Sequence, residues 1–125
     1  MFDRAPLASI AMGTNNSALS AVGNDYGYDQ IFASELIRNG KSGYVFIPIS
    51  TSGSNRNFLA AVEVAKGHGV LTIGMNGQSV GRLMSICNCL RMPSDETKRI
   101  QECHNIIGHS LCELVEKEFF RKKES

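Results

Sequence analysis

Ser50-Thr51-Ser52-Gly53-Ser54-Asn55 places four hydroxyls in five residues around one glycine. A segment of this kind, between a strand and a helix, offers main-chain N–H groups and the positive end of a helix dipole at one point. Hydroxyl donors add to them at short range, and Gly53 lets the backbone approach a ligand with no side chain between. This is chemistry for an oxyanion. No P-loop lysine stands beside it, so a sugar phosphate fits better than a nucleoside triphosphate. Serine and glycine also favour ordinary helix caps and turns, so a capped helix start is the competing reading.

Two further groups of residues can do chemistry. Asn24 and Asp25 sit between Gly23 and Gly27, and an Asn-Asp pair can meet sugar hydroxyls as donor and acceptor. An ordinary turn is the alternative there. Near the C-terminus, Gln101, Asn105 and His109 recur at a spacing of four along the polar flank of a helix, while His104 falls beside its apolar stripe and reads as packed. Gln101 and His109 are two turns apart, about 12 Å along a straight helix, so one metal ion would stretch both side chains. Cys87 and Cys89 share a strand face, no Cys-x-x-Cys occurs, and all four cysteines read as buried or half-buried thiols.

These residues need elements to position them. Leu7–Met12 reads as a first buried strand, followed by a short helix that Asn15, Asn16 or Ser17 caps and Gly23 stops. A helix over Asp29–Asn39 ends at Gly40, a strand runs over Tyr44–Ile49, and the Ser50–Asn55 loop opens a helix carrying Phe58, Leu59, Val62 and Ala65. A strand over Val70–Met75, a short helix near Val80–Ile86, a strand over Cys87–Met92 and a long helix capped by Ser94 or Asp95 complete the order. Ile100, Cys103, Ile107, Leu111 and Leu114 form that last helix's apolar stripe. Strands alternating with helices predict a single α/β domain over residues 1–125, a three-layer, Rossmann-like or flavodoxin-like parallel sheet with helices on both faces. Ligands in such sheets bind beyond the carboxyl ends of the strands, where Ser50–Asn55 falls.

Composition excludes some functions. With 13 Lys plus Arg against 12 Asp plus Glu, the formal charge of +1 carries no footprint for nucleic acid or an anionic membrane. The cluster Arg121, Lys122 and Lys123 reads as cations at a helix C-terminus. No apolar run reaches a membrane span, and the first residues lack a signal peptide's apolar region, so the cytoplasm is the expected compartment.

The motifs Arg4-Ala5-Pro6-Leu7-Ala8, Ser17 through Tyr28, Ile49-Ser50-Thr51-Ser52-Gly53, Pro93-Ser94-Asp95 and Arg99-Ile100-Gln101-Glu102, with His109 beyond, together resemble the sugar isomerase (SIS) domain family. Within it they are most similar to the phosphoheptose isomerases. The resemblance covers nearly the whole chain. It implies conversion of sedoheptulose 7-phosphate to a heptose 7-phosphate through an enediol. It also implies a homo-oligomer, dimer or tetramer, with active sites between subunits. Carried to matching positions, Asn24 and Asp25 would contact the sugar, Ser50, Thr51 and Ser52 would hold the phosphate with Ser54 and Asn55 nearby, and Gln101 and His109 would be zinc ligands. Gln101 would also touch substrate, and Asp25 and His109 are the candidates for proton transfer.

The chain departs from the family in three places. Before Arg4 the family has a first sheet strand, a Gly-rich loop, and a helix whose His and Glu complete the zinc site. In a flavodoxin-like order that strand would lie inside the sheet, so its absence predicts a gap between Leu7–Met12 and Tyr44–Ile49, with two unpaired edges. Gly53-Ser54-Asn55 replaces the family's Gly-Asn-Ser, and Pro48 removes a ladder donor from an interior strand. A non-catalytic sugar-phosphate-binding or protein-interaction module of the same fold is therefore the second reading. A flavodoxin-like nucleotide binder is third, disfavoured because no Gly-x-Gly-x-x-Gly follows a strand.

Overall fold

The computed structural model describes residues 5–79 and 81–121. Arg4, Val80, Lys122 and Lys123, which entered the motif, helix and charge readings above, lie outside those residues. Helix α1 (Asn16–Tyr26) is followed by one 3-10 turn (Tyr28–Gln30) and helix α2 (Ile31–Asn39). Strand β1 (Val45–Phe46), helix α3 (Arg56–Gly67), strand β2 (Leu71–Asn76), short helix α4 (Leu83–Ile86), strand β3 (Asn88–Arg91) and helix α5 (Thr97–Arg121) complete the order.

The sheet is parallel with strand order β1-β2-β3, as the alternation of strands and helices predicts. Its core is Leu36, Phe46, Ala61, Val62, Ala65, Val70 and Leu83. Ala61, Val62 and Ala65 lie on one face of α3, where two alanines allow close approach of the helix to β2 and α2. Helix ends follow their residues. The Asn15 side chain accepts from the Ala18 N–H at 3.1 Å, and the Gly40 N–H closes α2 onto the Leu36 carbonyl at 2.7 Å.

Pro48 shows its effect in β1. The Tyr44 and Pro48 carbonyls accept from the Leu71 and Met75 N–H groups, and the Ser50 N–H donates to the Met75 carbonyl at 2.8 Å. In that register the nitrogen of Pro48 stands opposite the Ile73 carbonyl and has no hydrogen to give. The regular strand therefore ends at Phe46, and pairing resumes only as the Ile49–Met75 bridge.

Leu7–Met12 is not a strand. Among the described residues it pairs with nothing, and Leu7 and Ile10 are 36% and 64% exposed. Strand hydrogen bonds need a neighbour, and among the described residues no strand pairs with this segment. One face of the β1 segment is open too, with Val45, Ile47 and Ile49 exposed on it. The segment is tied instead at its end, where the Gly13 N–H donates to Glu35 Oε2 on α2 at 3.0 Å.

Other boundaries also moved. Gly23 does not stop α1, which runs through it to Tyr26 and ends where the chain takes a positive φ at Gly27 (φ 95°). Helix α5 starts at Thr97, later than Ser94 or Asp95. Ser94 Oγ accepts from the Glu96 N–H at 3.1 Å, while the Asp95 carboxylate accepts from the Ser79 hydroxyl, so both are spent in the loop. On α5, Ile100 and His104 are buried as the stripe predicts, yet Leu114 is exposed. Cys87 and Cys89 share a half-buried face with their sulfurs 3.8 Å apart, whereas Cys112 is exposed, contrary to expectation.

Candidate functional site

The Ser50–Asn55 loop leaves the sheet at the carboxyl end of the β1 segment and enters α3. It is held from within. Ser50, only 5% exposed, donates its hydroxyl to Asn55 Oδ1 at 2.5 Å and accepts the Gly53 N–H at 2.9 Å. Ser52 Oγ donates to the same Asn55 Oδ1 at 3.3 Å and accepts the Ser54 N–H at 3.2 Å. Asn55 is the residue before α3, but its side chain faces back into the loop and makes no cap bond. The hydroxyls thus organise the loop rather than capping the helix, and at the dipole end of the 12-residue helix the N-cap residue makes no cap bond, the Phe58 N–H donating instead to Asn57 Oδ1 at 2.9 Å.

The loop rests on a floor that the sequence did not mark. Asn76, the last residue of β2, is fully buried, and Gly77 and Gly81 follow it. A Cβ on Gly77 would come within 3.0 Å of the Thr51 carbonyl, and one on Gly81 would strike the Ser52 carbonyl. Gly53 takes φ 67°, and a Cβ there would lie 2.9 Å from Asn76 Nδ2. From the other side, the Leu83 N–H donates to the Gly53 carbonyl at 2.8 Å. Three glycines therefore allow two main-chain segments to lie in contact. The available signal was the Gly77 and Gly81 spacing just beyond β2.

Asn24 and Asp25 belong to the last turn of α1 and not to a glycine-bracketed turn, and both are exposed. The 3-10 turn that follows them packs on α3, and the Phe32 ring lies 5.2 Å from the Phe58 ring near the start of α3. The end of α1 is therefore carried toward the end of α3 that the loop opens. Neither residue hydrogen-bonds to the loop among the described residues.

Gln101 and His109 are both exposed on α5. His104 is buried, with Nε2 3.4 Å from the Asn76 carbonyl, which also accepts the Met92 N–H at 2.9 Å. Among the described residues no three His, Cys, Asp or Glu side chains gather where a metal ion could bind. Gln101 and His109, two exposed residues two helical turns apart, do not by themselves make a tetrahedral shell.

Residues 1–77 match the SIS domain family. The chain is 46% identical over 123 residues to a phosphoheptose isomerase of Aneurinibacillus thermoaerophilus, covering 98% of this chain and 62% of that protein. It is 48% identical over 122 residues to phosphoheptose isomerase 2 of Campylobacter jejuni, covering 97% and 61%. The solved structure of a phosphoheptose isomerase from Francisella tularensis superposes with a TM-score of 0.87 at 38% identity, over 90% of this chain and 63% of that one. This chain thus spans less than two thirds of the length of these relatives.

Proposed function

The chain belongs to the SIS domain family, and on that premise we propose that it holds a sugar phosphate at Ser50–Asn55 as part of a ketose–aldose isomerase of the phosphoheptose type. The observation that carries the reading is the loop itself, a hydroxyl-rich turn opening a helix whose N-cap residue makes no cap bond, at the carboxyl end of a parallel strand. The phosphate takes the N–H groups of Gly53 and Ser54, with the hydroxyls of Thr51, Ser52 and Ser54 around it. Asn24 and Asp25 meet the sugar from the end of α1. Moving a proton between neighbouring carbons through an enediol requires a base within hydrogen-bond reach of both. Asp25 and His109 are the candidates for that transfer.

Calorimetry with sedoheptulose 7-phosphate tests the site, and aldose formation tests turnover. Binding with turnover supports the whole proposal. Absence of heat with this sugar phosphate and with inorganic phosphate would overturn it.

A second reading is binding without turnover, favoured by the placement of Gln101 and His109 on an exposed flank of α5, where the described residues gather no His, Cys, Asp or Glu cluster around them. Under the isomerase reading further ligands have to join Gln101 and His109, and active sites between subunits require the chain to associate. Sedimentation in the presence of zinc separates the two. Association that tracks turnover favours the isomerase, and a monomer that binds without turning over favours the module.

A further inference from the structure

Asn76 is 0% exposed, and neither Oδ1 nor Nδ2 of its side chain has a hydrogen-bond partner among the described residues. A buried amide in that condition forfeits its hydration without compensation, and such a group needs a reason to persist. Its position supplies one. The Ile49–Met75 bridge sets Asn76 beside Ser50 in the same parallel register, about one strand spacing away. Gly53 joins them, since its N–H lies 2.9 Å from Ser50 Oγ, and a Cβ on it would lie 2.9 Å from Asn76 Nδ2. An unpartnered donor and a buried hydroxyl therefore both lie against Gly53, the centre of the loop that forms the candidate anion site.

In the free chain the Gly53 N–H is already taken by Ser50 Oγ. An anion that claims this N–H strips Ser50 Oγ of its donor while the hydroxyl still donates to Asn55. A serine hydroxyl has two acceptor positions and one proton, so it can take a new donor without changing its bond to Asn55. We propose that Asn76 is a positioning residue of the anion site, whose Nδ2 replaces the Gly53 N–H on Ser50 Oγ when the anion takes that N–H. The unpaired amide of the free state is then the binding reserve of the loaded one. This inference rests on the sugar-phosphate reading of the loop and adds to it a residue with no direct ligand contact.

The test compares the full chain with Asn76→Leu, a close match in shape that lacks both polar atoms. Calorimetry with sedoheptulose 7-phosphate and with inorganic phosphate gives affinity, and thermal denaturation gives the stability of the free chain. The proposal expects affinity to fall about tenfold while the free chain melts no lower, because a buried unsatisfied pair has been removed. Affinity within twofold of the original overturns it. So does a lower melting temperature with unchanged affinity, the mark of a purely structural role. A second measurement needs no folded variant. The Asn76 side-chain NH2 resonances, followed by NMR, should move downfield as phosphate saturates the chain, and stationary resonances overturn the proposal. If the original chain binds neither ligand, it is the sugar-phosphate reading that has failed.

Discussion

The hydroxyl of Ser50 accepts the N–H of Gly53 at 2.9 Å, so the loop's central donor is satisfied by a side chain that is itself buried. Replacing Ser50 with alanine leaves that N–H without a partner in a water-poor position and also releases Asn55. The expected loss is about 1–3 kcal/mol of folding stability, together with weaker sugar-phosphate binding because the loop is no longer preorganised. Ser54→Ala, at an exposed position whose hydroxyl makes no bond within the loop, should weaken binding with little change in stability. Urea denaturation and calorimetry on both variants decide it. Equal stability losses at the two positions would contradict the network described.

Two glycines should respond in opposite directions. Gly81→Ala pushes a methyl group into the Ser52 carbonyl and the Gly53 backbone, which can yield only by lifting the loop off its floor. Overpacking of that kind costs about 1–3 kcal/mol, and here it should also weaken phosphate binding. Gly23→Ala lies within α1 with nothing within 4 Å of the added carbon, so it should stabilise by about 0.5–1 kcal/mol. Thermal melts of the pair test both signs. A Gly81→Ala chain that melts and binds like the original would remove the floor from the argument.

Much of this was legible in the chain. Periodicity and caps located five helices and three parallel strands, and hydroxyl density located the loop. Asn24 and Asp25 were read as a turn because Gly23 seemed a stop signal, but the helix tolerates glycine at that position and α1 runs on to Tyr26, ending at Gly27 where φ turns positive. Leu7–Met12 has a strand's composition without a strand's neighbour, and pairing is a property of two segments. Asn76 was invisible for a related reason. Its burial, and its position under Gly53, come from the fold bringing residues 53 and 81 together, which no local window contains.

Pro48 opposite Ile73 gives a third test. Pro48→Val supplies the missing ladder donor, and β1 should then run unbroken from Val45 to Ile49. The new hydrogen bond adds about 1 kcal/mol, part of which is offset by the greater freedom that valine gives the unfolded chain. Hydrogen exchange is the sharper readout. The amide at position 48 should exchange slowly, and exchange at the rate of an exposed loop would show that Ile73 is not its partner.

The thiols of Cys87 and Cys89 differ from that of Cys112 in their surroundings. Burial, and then the neighbouring Cys87, push the Cys89 thiol up to about 12 from 9.0. The thiolate is the reactive form, so at pH 8 iodoacetamide should label exposed Cys112 well before Cys89 in the folded chain. The same shift has a stability consequence. A group whose folded pKa lies above its unfolded one favours the folded state fully below the unfolded value, and that contribution drains away as pH rises toward the folded value. Stability should therefore decline between about pH 9 and pH 12, and a Cys89→Ser chain should lose less across that window. Mass spectrometry of the labelled chain and urea titrations at several pH values check the two parts. Labelling of Cys89 as fast as Cys112 would mean that its strand face is open to water.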